Sequence, residues 1–240
     1  MEIFDANTLF GFWPKKKADI SLESLLSLMD ENGISKAMTC SARGIFYDFI
    51  EGNSETLEVC KQHPQLNPVG TVNPCRWLGC ADELESLIND GIKMIRFFPQ
   101  FQEWHIGEAH FRKLLDDILS KSGTILMVPA VEGITAIGEL AKNTDNPIII
   151  EGCRYDRLAE AIVVMGQSSN IYLETQLINS PNFLELLKAE GCIEKLIYGS
   201  SAPLKYIGAA IAPVSYSRIT EKEKTMVFSS NLKQLMEDIK

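Results

Sequence analysis

Ile-Phe-Asp-Ala-Asn-Thr-Leu-Phe-Gly, at Ile3–Gly11, is the stretch from which the fold follows. An apolar run that contains a short polar interruption and ends in glycine is typical of the first strand of an α/β protein. A helix is indicated next, because Ser21 can cap a series of apolar residues at helical spacing, namely Leu22, Leu25, Leu26 and Met29. The chain therefore begins with a strand and a helix, the unit that the rest of the sequence repeats.

Eight such units can be recognised, at roughly the thirty-residue interval that a βαβ unit needs. In the second unit, Asn53 or Ser54 can cap a helix that stops at His63-Pro64. No Gly-x-Gly-x-x-Gly follows any strand, which disfavours an open doubly wound sheet. The sequence therefore predicts an α/β fold, a (β/α)8 TIM barrel in which residues 1–240 form one domain. The predicted strands are Ile3–Gly11, Lys36–Gly44, Val69–Pro74, Ile92–Pro99, Thr124–Pro129, Pro147–Glu151, Ile171–Gln176 and Leu196–Pro203.

Composition excludes several classes of partner. The chain has 240 residues, 45% of them hydrophobic, and a formal net charge of −9. Nucleic acids and anionic membranes are disfavoured, because phosphate binding needs clustered Lys and Arg and the only basic run is Lys15–Lys17, an expected solvated loop. No run approaches the ~20 apolar residues of a bilayer span, and the first residues favour a strand over a signal peptide. We expect a soluble cytoplasmic protein, and a homo-oligomer remains open.

Cysteine and histidine spacing gives no local metal motif. The six cysteines include no Cys-x-x-Cys pair, which favours reduced thiols over a zinc ribbon or a redox motif. Of the three histidines, His63 precedes a proline, and His105 and His110 are five residues apart. Chelation from one helical face needs i, i+4 spacing, so the sequence assigns no metal to this pair.

Three segments carry a resemblance to one superfamily. The first strand contains Asp5-Ala6-Asn7-Thr8-Leu9, the fourth strand reads Gly-Ile-Lys-Met-Ile-Arg-Phe-Phe-Pro at Gly91–Pro99, and the last helix begins Ser-Asn-Leu-Lys-Gln-Leu at Ser230–Leu235. They resemble the metal-dependent amidohydrolases of the uronate-isomerase and decarboxylase-like branch (amidohydrolase-2), whose patterns are Asp-Ala-His-x-His-x-Gly, Gly-x-Lys-Gly-Ile and Gly-Asn-x-x-x-Leu. The resemblance implies a TIM barrel with a substrate at its C-terminal mouth, and a hydrolase, lactonase or decarboxylase activity.

The same resemblance identifies positions at which the metal ligands of the family are replaced. Asn7 and Leu9 stand for the two histidines of the first strand, and Met127-Val128-Pro129 has no counterpart of the fifth-strand histidine. Cys153 stands for the sixth-strand histidine, and Ser201 for the aspartate that takes the proton of water. A zinc site needs three or four placed ligands. The sequence therefore predicts a degenerate site with no metal ligand and no cofactor, and purified protein with less than about one zinc per several chains.

Polar residues at the strand ends are the remaining candidates, because the active sites of TIM barrels lie at the C-terminal ends of the strands. Three are assigned as catalytic and five as substrate-binding: Glu151, Glu174 and Ser201 in the first group, and Asn7, Arg96, Arg154, Tyr155 and Gln176 in the second.

Two of these assignments have competing structural interpretations. The guanidinium of Arg96 can bind a substrate carboxylate or phosphate, or it can form an internal ion pair with Glu151 or Glu174. The two glutamates can share a cavity for acid/base chemistry, one protonated because of the charge of the other, or Glu151 can form a salt bridge with Arg154 at the rim.

Three functional hypotheses remain open. The first is an amidohydrolase-related enzyme that acts on a small anionic metabolite without the usual metal. The second is a catalytically silent barrel that binds such a ligand or regulates a homologous enzyme. The third is a rebuilt site in which Glu151, Glu174 and Asn7 bind Mg²⁺ or Mn²⁺ through oxygen.

Overall fold

Eight parallel strands form a closed barrel in the computed structural model, which describes residues 1–239. Hydrogen bonds connect the strands in the order β1-β2-β3 and β4-β5-β6-β7-β8. The strands are β1 Ile3–Phe10, β2 Ile34–Ser41, β3 Leu66–Pro68, β4 Met94–Arg96, β5 Ile125–Pro129, β6 Ile148–Glu151, β7 Ile171–Glu174 and β8 Leu196–Ile197.

Backbone hydrogen bonds at two seams join these two sets of strands. Between β3 and β4, the Gly70 amide donates to the Met94 carbonyl at 3.0 Å and the Arg96 amide donates to the Gly70 carbonyl at 2.9 Å. A Cβ on Gly70 would lie 2.8 Å from the terminal side-chain carbons of Leu87 and Ile95, so glycine allows this approach without displacing those side chains. Between β8 and β1, the Ala6 amide donates to the Tyr198 carbonyl at 2.9 Å. The eight-stranded barrel predicted from the sequence is confirmed.

Helices surround the barrel, and none within residues 1–239 has the length and apolar character needed to cross a bilayer. Helix α1 begins after Ser21, whose hydroxyl accepts the Ser24 amide at 3.2 Å, as predicted. The helices are α1 Leu22–Glu31, α2 Ala42–Phe46, α3 Phe49–Gln62, α4 Cys80–Asn89, α5 Pro99–Gln102, α6 Ala109–Asp117, α7 Ile134–Ala141, α8 Leu158–Gln167, α9 Phe183–Ala189, α10 Ile207–Ser215, α11 Glu221–Thr225 and α12 Asn231–Asp238.

Alternating residues along each strand contribute to two hydrophobic clusters. Ile148 and Ile150 of β6 belong to the cluster between strands and helices, whereas Ile149 packs with Met94 of β4 in a second cluster. Because side chains alternate along a strand, Arg96 and Glu151 continue the rows of Met94 and Ile149 at the ends of β4 and β6. The strand period thus brings a cation and an anion to the same mouth of the barrel.

The third strand differs from its prediction. Its regular pairing covers Leu66–Pro68, and the predicted Val69–Pro74 contributes only the isolated bridge of Gly70 with Ile95. Leu66–Pro68 pairs with β2 at one edge, and the chain then turns towards β4 at Gly70. The apolar run predicted the approximate position of the strand. Which residues pair regularly depends on the hydrogen bonds to the neighbouring strands β2 and β4.

Candidate functional site

A cavity of about 330 Å³ lies at the C-terminal mouth of the barrel. Arg96, Pro129 and Glu151, the last residues of β4, β5 and β6, contribute to its wall, as do Gln176 and Ser201 from the segments after β7 and β8. Its volume is at the lower end of the range of small-molecule sites. Four residues that the sequence assigned to substrate or chemistry therefore line one cavity: Arg96, Glu151, Gln176 and Ser201.

Arg96 and Glu151 form a nearly buried ion pair on the wall of the cavity. Arg96 Nε lies 2.6 Å from Glu151 Oε2, and Arg96 Nη2 donates to Glu151 Oε1 at 3.1 Å. The side chains are 6% and 12% exposed. The Arg96 guanidinium carbon lies 4.7 Å from the centroid of the Phe98 ring, a cation–π geometry. The internal ion pair that the sequence left open is present, and Arg96 also faces the cavity.

Glu174 lies fully buried at the end of β7, where its carboxyl group accepts two backbone hydrogen bonds. The Gly152 amide donates to Oε2 at 3.1 Å and the Gln176 amide donates to Oε1 at 2.8 Å. Burial raises the pKa of Glu174 to about 8, and the negative charge of Glu151 adds to the increase against the two hydrogen bonds. The acid/base alternative attributed such a proton to the charge of Glu151, but burial is the larger cause.

Asp5 is a buried carboxyl group that the sequence analysis did not include among the site residues. Asp5 Oδ1 accepts the Asn7 amide at 2.9 Å and the Ser200 amide at 3.0 Å, and the Ser200 hydroxyl donates to Oδ2. Burial raises the pKa of Asp5 to about 7 against these hydrogen bonds. Its signal was its place in the quoted first-strand motif. A second carboxyl group that holds its proton near neutral pH thus lies between β1 and the segment after β8.

Asn7 and Ser201 are neighbours across the seam between β1 and β8. The Ser201 amide donates to the Asn7 carbonyl at 2.8 Å, and Ser201 has a φ of 57°. Asn7 is 1% exposed, and within the described residues neither Nδ2 nor Oδ1 of its side chain has a hydrogen-bond partner. The side-chain amide of Asn7 can therefore still donate and accept hydrogen bonds near Ser201, which lines the cavity.

Two predicted substrate-binding residues lie on the surface, outside the group that lines the cavity. Tyr155 is 63% exposed, and Arg154 Nε lies 3.2 Å from Asp156 Oδ1. The alternative salt bridge between Glu151 and Arg154 is therefore not formed, because Glu151 pairs with Arg96 and Arg154 pairs with Asp156. Arg154 follows a left-handed Gly152 in the loop after β6, whereas Arg96 lies inside the mouth.

Two lysines and three aromatic side chains also line the cavity, and sequence reasoning did not assign them. Lys16 belongs to the loop after β1 and Lys205 to the loop after β8, so both follow strand ends, which was the available signal. Partial burial lowers the pKa of Lys205, against the charges of Glu174 and Glu151, which raise it. The aromatic lining residues are Trp13, Phe98 and Phe101, and the Trp13 and Phe101 rings meet edge to face at 5.2 Å.

The side chains at the mouth do not fit the histidine–aspartate metal shell of the resembled family. Leu9 and Pro129 contribute hydrocarbon to the cavity wall, and Ser201 contributes a hydroxyl. Among residues 1–239, Glu151 is the one carboxylate that lines the wall, and it is paired with Arg96. A divalent transition metal prefers several imidazole, thiolate or carboxylate ligands directed to one point.

Comparisons with known proteins give matches at the level of structure. No family model matches the sequence, and no curated protein matches it. An uncharacterised TIM-barrel protein from Bordetella bronchiseptica superposes with a TM-score of 0.77 at 14% identity, over 100% of this chain and 99% of that one.

Decarboxylases are among the matching structures. The 5-carboxyvanillate decarboxylase of Sphingomonas paucimobilis has a TM-score of 0.75 at 13% identity, and the match covers 98% of this chain and 99% of that chain. A 2,6-dihydroxybenzoate decarboxylase from Rhizobium has a TM-score of 0.72 at 12% identity, with 98% of each chain covered. Structures described as amidohydrolases match as well, with TM-scores of 0.77 and 0.72. The chain therefore has the single-domain (β/α)8 barrel fold shared by these amidohydrolases and decarboxylases.

Proposed function

We propose that this barrel binds a small planar carboxylate at its C-terminal mouth, without the histidine–aspartate metal shell of the resembled family. One observation carries the proposal: the ionisable side chains that line the cavity are the three cations Lys16, Arg96 and Lys205 and the single carboxylate Glu151. Because Arg96 and Glu151 are paired, the two lysines leave the cavity with excess positive charge. For an anion that enters the cavity, ion pairs with these cations would offset much of the hydration free energy that it loses.

The buried carboxyl groups of Glu174 and Asp5 cancel little of this positive charge, because burial favours their neutral forms. The pKa of Glu174 is raised to about 8 by burial, so Glu174 is largely neutral at pH 7. Asp5, with a pKa raised to about 7 by burial, is only partly ionised there. Buried carboxyl groups in their neutral form do not repel an incoming carboxylate as ionised ones would.

The walls favour a flat ligand. Trp13, Phe98 and Phe101 provide aromatic surfaces to a cavity of about 330 Å³. Aromatic rings pack well against one another in stacked or edge-to-face arrangements. The decarboxylases of the same fold act on 5-carboxyvanillate and 2,6-dihydroxybenzoate, which are planar aromatic carboxylates. These substrates supply the chemical class of the ligand proposed for this chain.

Acid/base catalysis is a second candidate function, favoured by the raised pKa values of Asp5 and Glu174. Groups that exchange a proton near neutral pH are suited to hydrolysis or decarboxylation. A rebuilt Mg²⁺ or Mn²⁺ site is disfavoured, because Glu151 is paired with Arg96 and both oxygens of Glu174 accept backbone amides. A catalytically silent barrel would bind the ligand without converting it.

Thermal unfolding with two matched probes tests the proposal. In EDTA, 2,6-dihydroxybenzoate should raise the melting temperature, and resorcinol, the same ring without the carboxylate, should not, because only the first carries the charge that the lysines attract. Equal shifts with both probes, or none with either, would contradict carboxylate binding. Release of resorcinol and CO₂ from 2,6-dihydroxybenzoate would add catalysis, and binding without turnover would indicate the silent barrel.

A further inference from the structure

Three side chains with metal-binding atoms meet on the rim of the barrel, outside the group that lines the cavity. Cys75 lies in the loop between β3 and α4, Glu108 directly precedes α6, and His110 is in the first turn of α6. One ligand atom from each lies within 4.8 Å of the other two, and in residues 1–239 this is the one such group of three His, Cys, Asp or Glu side chains. We call these residues the rim cluster.

The distances within the rim cluster match a tetrahedral metal site. Cys75 Sγ lies 3.8 Å from His110 Nε2, and His110 Nε2 lies 3.3 Å from Glu108 Oε2. Zinc bonds of about 2.3 Å to sulfur and about 2.0–2.1 Å to nitrogen and oxygen, at tetrahedral angles, separate sulfur from nitrogen by about 3.6 Å and nitrogen from oxygen by about 3.4 Å. The sulfur–nitrogen and nitrogen–oxygen separations therefore already lie within a few tenths of an ångström of tetrahedral zinc geometry, and the third pair of ligand atoms lies within 4.8 Å.

Local structure holds each of the three residues in place. The Cys75 amide donates to Asn73 Oδ1 at 3.0 Å, which fixes the backbone turn that presents the thiol. The His110 ring meets the buried Trp104 ring edge to face, with centroids 6.4 Å apart. Glu108 is the N-cap residue of α6, yet its carboxylate caps no backbone amide and lies beside His110 instead.

We propose that Cys75, Glu108 and His110 bind one Zn²⁺ ion, with water at the fourth position. Sulfur, nitrogen and carboxylate oxygen are the ligand atoms that zinc prefers, whereas Mg²⁺ and Ca²⁺ require oxygen ligands. On binding, the Cys75 S–H bond breaks, a sulfur–zinc bond forms and the proton goes to solvent. The ion would tie the loop after β3 to the start of α6 and so fix one side of the rim.

This zinc differs from the sequence expectation of no bound metal. That expectation considered strand ends and ligand spacing along one helix, and the rim cluster combines residues 33 and 35 positions apart in the sequence. None of its three members lines the cavity of the proposed carboxylate. The two proposals are therefore independent, and each can fail alone.

Cobalt(II) titration of chelator-treated protein tests the rim cluster, because Co²⁺ takes zinc sites and reports a thiolate ligand by its near-ultraviolet charge-transfer absorption. We expect one Co²⁺ per chain, with that absorption, and its displacement by Zn²⁺. The variant Cys75→Ser should lose the absorption, and His110→Gln should weaken Co²⁺ binding by more than about tenfold. The controls are Cys60→Ser and His105→Gln, which replace the same residue types outside the cluster.

Two outcomes would overturn the zinc proposal. One is wild-type protein that gives no thiolate absorption at saturating Co²⁺, the result expected if Cys75 and His110 only hydrogen-bond to each other. The other is an absorption that survives in Cys75→Ser or disappears in Cys60→Ser. Circular dichroism of each variant verifies folding, and the melting-temperature shift with 2,6-dihydroxybenzoate in EDTA reports on the cavity separately.

Discussion

Arg96 is the residue at which the structural and functional interpretations of the sequence meet. The substitution Arg96→Met keeps much of the bulk but leaves the Glu151 carboxylate, 12% exposed, without its cation. We expect the free energy of unfolding to fall by about 3–5 kcal/mol, since an unpaired buried charge is costly. The double variant Arg96→Met/Glu151→Gln should recover most of the loss. Urea denaturation measures both, and a single variant as stable as wild type would contradict a structural ion pair.

The raised pKa values of Asp5 and Glu174 predict a stability that falls as pH rises. In the unfolded chain these groups release protons near their ordinary values of 3.8 and 4.5, but in the folded chain only near about 7 and about 8. Between these limits the folded state binds more protons than the unfolded state. The free energy of unfolding therefore has its full contribution from these groups at low pH and loses it as the pH rises towards 8. The slope is at most about 1.4 kcal/mol per pH unit for each group.

Urea denaturation at several pH values between about 5 and 9 measures this slope. Glu174→Gln removes one of the two titrations and should make the decline shallower. Glu58→Gln, an exposed position on α3, serves as the control and should leave it unchanged. An equal slope in wild type and Glu174→Gln would show that Glu174 is not the buried acid described above.

At the scale of elements, the approach of the segment after β8 to β7 depends on Gly199. A Cβ at this position would overlap the Glu174 carboxyl group. We expect Gly199→Ala to lower the free energy of unfolding by at least about 1–3 kcal/mol, the usual cost of overpacking. Gly208→Ala in α10 is the matched control, because a Cβ there meets nothing within 4 Å. A neutral Gly199→Ala would mean that Glu174 can move without cost.

Element positions could be predicted where hydrophobic periodicity is strong, and element ends could not. The Ser21 cap was correct because the apolar spacing of α1 begins directly after it. The cap of α3 was predicted at Asn53 or Ser54, but Asp48 Oδ1 accepts the Glu51 amide at 3.0 Å and begins the helix earlier. Asn53 lies inside α3, and its side chain bonds the backbone of Thr71. A contact with a residue 18 positions away produces no recognisable pattern in the sequence around Asn53, so it could not be predicted.

At the scale of the molecule, the sequence predicted the barrel and the approximate position of each of its eight strands. Periodicity assigned Arg96 and Glu151 to strands two apart, but the pairing between them depends on barrel curvature, which a linear pattern does not contain. For the same reason, the sequence did not predict that Lys205 lines the cavity or that Cys75 lies beside His110. The fold follows from repeated local signals, whereas the site follows from what closure of the barrel brings together.

Calorimetric titration of 2,6-dihydroxybenzoate in EDTA tests the carboxylate site most directly. Wild-type protein should bind it, and Lys16→Met and Lys205→Met should each bind about tenfold or more weakly, because each removes a charge worth about 1.5–3 kcal/mol as a hydrogen-bond donor to a carboxylate. Lys17→Met, beside Lys16 but outside the cavity wall, should bind as wild type does. Binding that is unchanged in Lys205→Met, or lost equally in Lys17→Met, would contradict the account.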